Sequence, residues 1–517
     1  MTAPATFKKR LFVILLGLGL FALALLMPRP EGMSVEAQRM LAVVLLMGAW
    51  WVGEGVPIPV TAFLPLVLFP LLGIMSSKEI APNYTNHLVF LFLGGFMMAL
   101  AMEKWNFHKR IALHIIAVIG SGPRRIVLGF MVATAFLSMW ISNTATTMMM
   151  LPVAMAVVRQ VASAAVLDGK RGWQAEQQVR QSFGLVLMLG VAYSASIGGV
   201  GTLIGTPPNI VLAGFYKKLF PEAGEIGFLQ WMLMALPVVI LFLPVVWWYL
   251  CRVVAPIPLA EMEFAGRAPD AVRDELQALG AMSRAEKYIA VVFLSAALLW
   301  IFRKPVSLGA VTLPGWSGLF PYPHMVHDAT VAMAMGLLLF ILPLDFRSGV
   351  PLNGGREFFV LDWKTIQQGT PWGIVFLFGG GFALAAGFTG SGLDQWIGGR
   401  LAVVAGLPQW LVILLVCLAV TFLTELTSNT ATTTMMLPIL AAAAVAAQIH
   451  PLMLMVPAAM AASFAFMLPV ATPPNAIVFG SGWVTIPEMS RAGLALNFIG
   501  AALITLLASL LIRGMFL

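Results

Sequence analysis

The 517-residue chain is 60% apolar and only 10% charged, against roughly 45–50% and about 25% in soluble domains, so a soluble enzyme, a disordered chain and a disulfide scaffold are excluded in favour of a membrane protein. Its two cysteines, Cys251 and Cys417, lie in apolar runs and offer neither a metal set nor a disulfide framework. The net charge of +8, from 30 Lys and Arg against 22 Asp and Glu, reads as cytoplasmic-loop basic residues beside anionic lipid and not as a nucleic-acid surface.

In chain order, Lys8, Lys9 and Arg10 precede an apolar run to Met27, which ends in Pro28-Arg29-Pro30-Glu31 without a small-residue cleavage site. This predicts a first spanning helix with a cytoplasmic N-terminus rather than a signal peptide. Apolar runs follow near 37–52, 57–74 and 87–104; Glu54 is expected at an aqueous helix end, and His87 and His108 at the interfaces. Residues 123–160 are mostly apolar and far too long for one straight span, since about 20 residues cross the hydrocarbon. Their middle carries a polar knot, Ser142-Asn143-Thr144-Ala145-Thr146-Thr147. A re-entrant hairpin with the knot at its tip near the midplane is predicted. Irregular backbone at that depth is tolerated only where protein or a water-filled cavity surrounds it.

Residues 182–215 are interrupted by Gly205-Thr206-Pro207-Pro208-Asn209. Two prolines remove consecutive backbone donors and push the preceding threonine out of the α region, so a broken helix is predicted. A span near 229–251 precedes a mixed-charge stretch, 252–286, read as a solvated cytoplasmic loop helix. Spans near 288–302 and 326–344 flank an external loop ending in His324-Met325-Val326-His327-Asp328, where no third histidine lies nearby in sequence and no metal centre is expected. After a polar stretch, 345–370, and a span near 371–390, residues 407–447 repeat the hairpin pattern around Ser428-Asn429-Thr430-Ala431-Thr432-Thr433. A second broken helix, 451–482, turns at Ala471-Thr472-Pro473-Pro474-Asn475, and a run near 493–512 closes the chain. The expected fold is an all-α polytopic membrane protein of about eleven crossings, with two re-entrant hairpins, two broken helices and an external C-terminus.

The two halves repeat. SNTATTMMMLP at 142–152 and SNTATTTMMLP at 428–438 agree at ten of eleven positions, at an offset of 286 residues, and the same offset aligns VFLFLGGF (89–96) with VFLFGGGF (375–382). The number of spans between the copies makes the repeat inverted, the first hairpin entering from the cytoplasm and the second from outside. Such paired interruptions in corresponding halves mark a transporter site at a repeat interface.

These paired SNT motifs, each followed by a T-P-P-N break, resemble the divalent anion/sodium symporter family of di- and tricarboxylate transporters. The likeness runs from WWVGEGVPIPVTAFLPLVLFP (50–70) to the last helix. A dianion at the midplane loses much of its water, at several kcal/mol per charge unless replaced. Asn143, Thr144, Asn429 and Thr430 supply neutral donors at the tips. Thr206, Pro207, Thr472 and Pro473 open second half-helices whose positive dipole ends should face the anion. Neither tip and neither break holds a lysine or arginine. A mobile cation must therefore offset the charge, and sodium suits the free carbonyls and hydroxyls. The resemblance implies a first sodium site at Ser138, Ser142, Asn143 and Gly205, and a second at Thr424, Thr427, Asn429 and Ala471. The outer threonines Thr146, Thr147, Thr432 and Thr433 are expected to fasten the hairpins by interhelical hydrogen bonds. Glu425 is open to two readings: a coupling or affinity-tuning carboxylate, or a hydrogen-bonded structural one. The methionine runs are read as packing.

The resemblance further implies a homodimer in the inner (plasma) membrane working as an elevator. The scaffold would be 1–107 and 287–390, and the amphipathic arms 108–122 and 391–406. The transport domain would be 123–251 and 407–517, with 252–286 a cytoplasmic loop. The expected activity is sodium-coupled symport of a di- or tricarboxylate, a C4-dicarboxylate such as succinate or malate first. A sodium-independent exchanger, or a sulfate or other oxyanion symporter, is the alternative. An intramembrane protease is excluded for want of an H-E-x-x-H pair, two intramembrane aspartates or a serine–histidine pair. A channel gives no reason for paired midplane tips.

Overall fold

The computed structural model describes residues 4–120, 122–167, 180–254, 268–308, 311–345, 349–352, 355–401 and 406–512. Among them, nine helices are long and apolar enough to cross a membrane, with four shorter apolar helices beside them. Among the described residues, two short antiparallel pairs, 306–308 with 311–313 and 350–352 with 355–357, and an isolated bridge between Pro343 and Phe359 interrupt the helical architecture.

α1 (Pro4–Leu26) and α2 (Val35–Gly53) form an antiparallel pair. Gln38 Nε2 ties their junction by donating to the carbonyls of Ala24 and Met27, both at 2.9 Å, and Ser34 caps α2 through the Ala37 amide. α1 is the most peripheral helix of the set, with 17% of its apolar window buried. Such a helix, apolar all round and unburied by protein, is what lipid contact selects. The run at 57–74, expected as one span, is instead two short helices, 58–61 and 64–71. Pro57, Pro59, Pro65 and Pro70 punctuate it, and each lacks the amide a continuous helix requires.

α3 (His87–Lys104) is capped by Asn86 and runs to α4 (Phe107–Ile119), which turns off at Asn106 in the left-handed region. The first hairpin follows as α5 (Pro123–Ser138) and α6 (Asn143–Leu167), joined by four residues. The first broken helix is α7 (Leu185–Gly199) and α8 (Pro207–Leu219). Every residue of α7 is buried, which makes it the axle of the larger core cluster. α9 (Phe228–Tyr249) completes the first half.

α10 (Ala268–Ala278) is the loop helix foreseen within 252–286, of which 255–267 lie outside the described residues. It is fastened to α4 by Lys109 and Glu275 at 2.7 Å, while Arg110 reaches Glu286 at 2.6 Å in the capping box of α11 (Arg284–Ile301). α12 (Asp328–Ile341) packs closely along α3: a Cβ on Gly94 would lie 2.4 Å from the Ala332 carbonyl carbon, so glycine is what lets the two backbones touch. α13 (Trp372–Ser391) and α14 (Leu393–Leu401) precede the second hairpin, α15 (Gln409–Thr424) and α16 (Asn429–Ala446). The second broken helix is α17 (Leu452–Ala462) and α18 (Pro473–Gly480), and α19 (Ile486–Leu507) ends the fold. A second, smaller core gathers α2, the two short helices and α13 around Trp51, Phe69 and Phe388.

Candidate functional site

Both hairpin turns and both helix breaks face one cavity of about 840 Å³. Ser142, Asn143 and Thr144 line it from the first tip, and Thr427, Ser428, Asn429 and Thr430 from the second. Gly205, Thr206 and Pro207 line it from the first break, and Ala471, Thr472 and Pro473 from the second. The reason lies in the local chemistry. Each tip is where an apolar helix gives way to residues that compete for backbone hydrogen bonds, and each break is where proline cannot continue the ladder. Four helices, α6, α8, α16 and α18, therefore begin at the same cavity wall. Their N-terminal amides and dipoles make the wall electropositive without formal charge.

The remainder of the wall is apolar, with Phe92, Phe96, Ile204, Ile374 and Leu377 prominent. Exposed Lys9 and Glu54 complete it from the start of α1 and the end of α2. Lys9 corrects the expectation of a cavity without basic side chains: the tips and breaks hold none, but α1 delivers one from outside them.

Ser138 and Thr424 do not line the cavity; they sit buried behind the asparagines. Ser138 Oγ is 2.6 Å from Asn143 Oδ1 and 2.7 Å from the Ala195 carbonyl oxygen. Thr424 Oγ1 is 2.7 Å from Asn429 Oδ1 and 2.9 Å from the Ala462 carbonyl oxygen. Each hydroxyl thus fixes the asparagine rotamer with its amide oxygen turned inward. Around Gly205 the oxygens converge. A Cβ placed there would lie 2.4 Å from the Gly199 carbonyl oxygen and 3.0 Å from those of Ser138 and Met139. A Cβ on Gly199 would lie 2.4 Å from Asn143 Oδ1. This niche of carbonyl, amide and hydroxyl oxygens is the donor chemistry of a hard cation. The second copy repeats the contact of a buried hydroxyl with the asparagine amide oxygen and a backbone carbonyl, at Thr424, Asn429 and Ala462, and carries Ala471 at the position of Gly205.

The breaks are held by residues that motif reading did not single out. Asn209 Nδ2 lies 3.1, 3.3 and 2.6 Å from the carbonyl oxygens of Gly199, Val200 and Thr202, and Asn475 Nδ2 lies 3.0 Å from those of Ala465 and Leu468. Their signal was present in the repeated Pro-Pro-Asn. Thr202 Oγ1 donates to the Met139 carbonyl and Trp231 Nε1 to that of Val200. Glu425 takes the structural reading: its carboxylate accepts from the amides of Phe466, Met467 and Leu468 and from Asn497 Nδ2, between 2.7 and 3.1 Å, and does not line the cavity.

The outer threonines depart from expectation. Thr147 and Thr433 donate to the carbonyls of Asn143 and Asn429 one turn back in their own helices. Thr432 pairs with Thr427 inside the second tip, and Thr146 Oγ1 is buried without a partner. Thr147 and Thr433 brace the start of their own helices rather than tie helices together, because a carbonyl one turn back is within reach of a threonine hydroxyl.

The model of the sodium:sulfate symporter transmembrane region matches residues 8–516 of the chain. The chain belongs to this family of divalent anion/sodium symporters. It is a multi-pass membrane transporter and not an enzyme. Family relatives include the sodium-dependent dicarboxylate transporter SdcS of Staphylococcus saprophyticus, 41% identical over 96% of this chain and 91% of that protein. SdcS of Staphylococcus aureus is also 41% identical, over 96% of this chain and 90% of that protein. Among solved structures, the Alcanivorax borkumensis YdaH transporter superposes with a TM-score of 0.53 at 12% identity, covering 93% of this chain and 99% of that one. Neisseria gonorrhoeae MtrF superposes at 0.54 and 12%, covering 99% and 96%. At that identity the likeness carries the fold alone.

Proposed function

We propose that this protein is a secondary active transporter that couples sodium ions to the inward movement of a di- or tricarboxylate, with C4-dicarboxylates such as succinate or malate the preferred class. The observation that carries the reading is the meeting of four helix N-termini at one cavity. Each such terminus favours an anion by about 0.3–1 kcal/mol, more where water is scarce. Asn143, Thr144, Asn429 and Thr430 donate from the tips, and Thr206, Pro207, Thr472 and Pro473 begin the breaks. The relatives named as sodium-dependent dicarboxylate transporters support both the cation and the anion class. The name of the matching family favours sulfate as a second substrate, since any oxyanion is held by the same neutral donors.

Sodium would occupy the niche of Ser138, Ser142, Asn143 and Gly205 and its counterpart at Thr424, Thr427, Asn429 and Ala471. The ions order the tips and offset the dianion, and retention of these oxygen ligands supports symport over exchange. The loaded domain, 123–251 and 407–517, then slides as an elevator past the scaffold, 1–107 and 287–390. The arms 108–122 and 391–406 connect them, in a homodimer of the plasma membrane with its N-terminus cytoplasmic. Two sodium ions per dianion make the crossing neutral; each further charge gains roughly 2.3 kcal/mol per 100 mV.

The test is uptake of labelled succinate, citrate and sulfate into proteoliposomes with and without a sodium gradient. Succinate uptake that requires the gradient is expected, and Asn143→Ala and Asn429→Ala should each abolish it while the protein stays folded. Gradient-independent uptake overturns symport; normal transport in either variant overturns the site.

A further inference from the structure

Three ligand-type side chains that take no part in the cavity come together on the face of the molecule where α8 ends and α3 and α12 begin. His87 is the first residue of α3, His327 is the N-cap residue of α12, and Glu225 lies in the segment that follows α8. His327 Nδ1 is 3.0 Å from Glu225 Oε2, and His87 Nε2 is 3.6 Å from Glu225 Oε1. The imidazole centroids are 4.9 Å apart, tilted by 34°. One ligand atom from each of the three residues falls within 4.8 Å of the other two. All three are half-buried, which removes part of their water while leaving an ion a way in.

The neighbours around them are already engaged. Asp328 lines the same small pocket, but its carboxylate accepts from Arg303 Nε at 2.5 Å and the Phe228 amide at 2.9 Å. Lys217, also in the pocket, donates its ammonium to the Pro221 carbonyl at 3.1 Å. That leaves two imidazoles and one carboxylate facing a common point. This is a zinc donor set: nitrogen and oxygen ligands at about 2.0–2.2 Å, in a tetrahedron whose fourth corner goes to water. Tetrahedral donors at those bond lengths lie about 3.3 Å apart, so the three ligand atoms, within 4.8 Å of one another, need draw in only slightly to close on an ion. A hard ion such as calcium would want more oxygens than the cluster holds.

We propose that His87, Glu225 and His327 bind a divalent transition-metal ion of the zinc class, and that the bound ion fastens the segment after α8 to the starts of α3 and α12. The metal site stands on its geometry alone. Its consequence for transport rests on the elevator reading above, in which Glu225 belongs to the moving domain and both histidines to the scaffold. A metal bridging the two holds the transporter in the conformation described here, and zinc on that face therefore slows uptake.

The experiment uses the full chain, purified and stripped with EDTA, titrated with Co²⁺ as a spectroscopic probe and then challenged with Zn²⁺. One equivalent of cobalt should bind with the visible bands of tetrahedral coordination and be displaced by zinc. His87→Ala and His327→Ala should each weaken binding by at least about tenfold, and Glu225→Gln, which keeps the shape, should do the same. His324→Ala, next in the loop but outside the cluster, should bind as the unaltered chain does. No saturable binding, or unchanged binding in the variants, overturns the site. In proteoliposomes, zinc on this face should inhibit sodium-driven succinate uptake by the unaltered chain and spare His327→Ala. Uptake indifferent to saturating zinc overturns the fastening. Failure of the transport reading is separable, because it appears as absent uptake in EDTA while cobalt still binds.

Discussion

The two halves of the molecule build the same tip and break from nearly the same motif and share an asparagine that gathers carbonyls, Asn209 and Asn475, yet they add different partners to it. In the first copy, donors are brought to carbonyls: Asn209, Trp231 and Thr202 give hydrogens to backbone oxygens around the break. In the second, an acceptor is brought to amides: Glu425, where the first copy has Met139, collects three backbone N–H groups and the Asn497 amide. The first niche is closed so tightly by carbonyls that Gly205 has no room for a Cβ, whereas the second accepts Ala471. The comparison teaches that a duplicated polar motif keeps what faces the cavity, while the scaffolding behind it is free to differ so long as most of its buried polar groups find partners.

The largest effect should come from Glu425→Gln. Its amide would turn hydrogens toward backbone N–H groups that now meet a carboxylate, costing about 3 kcal/mol. Thr202→Val, which removes one hydroxyl from the first break, should cost only about 1 kcal/mol. Thermal unfolding in detergent compares them, and equal losses would erase the distinction between the halves. Next is Gly205→Ala, where overpacking of about 1–3 kcal/mol should raise the sodium concentration for half-maximal uptake by about tenfold or more. Ala471→Gly should shift it far less. If both alanine and glycine are tolerated at 205, the first niche is looser than its carbonyls imply.

Asn209→Ala and Asn475→Ala strip the amide that gathers the carbonyls of each break. Both should lower stability by about 1–2 kcal/mol, with the larger loss at Asn209, which serves three carbonyls rather than two. Smallest is the pair Ser138→Ala and Thr424→Val. Each frees an asparagine side chain by removing one hydrogen bond of about 1 kcal/mol, which should weaken sodium dependence about fivefold with no change in folding. Sodium titration of uptake reads both, and an effect confined to one copy would argue that only one asparagine needs its brace.

Much of this was legible before any coordinates. Polar knots inside apolar stretches too long for one span, twice over and next to paired prolines, already announce tips, breaks and a shared cavity. Where reading failed, the cause was local competition or distant pairing. The prolines of 57–74 divided an expected span into two short helices. Thr147 and Thr433 turned to their own helices because a carbonyl four residues back is always within reach. Asn497 and Trp231 carry no motif at all, and Lys9 lies far from every segment expected to hold the anion.

The amino-acid order by itself determined that the chain is helical, lipid-embedded and internally repeated, and where its helices must fail. Those properties follow from composition, hydropathy and the missing donors of proline, which act within a few residues. Only the tertiary structure decided which oxygens surround Gly205, which amides hydrogen-bond Glu425, that Lys9 reaches the cavity, and that His87 and His327 meet over Glu225. Each of those depends on packing between helices remote in the chain, and no short-range rule encodes which neighbour a buried polar group will find.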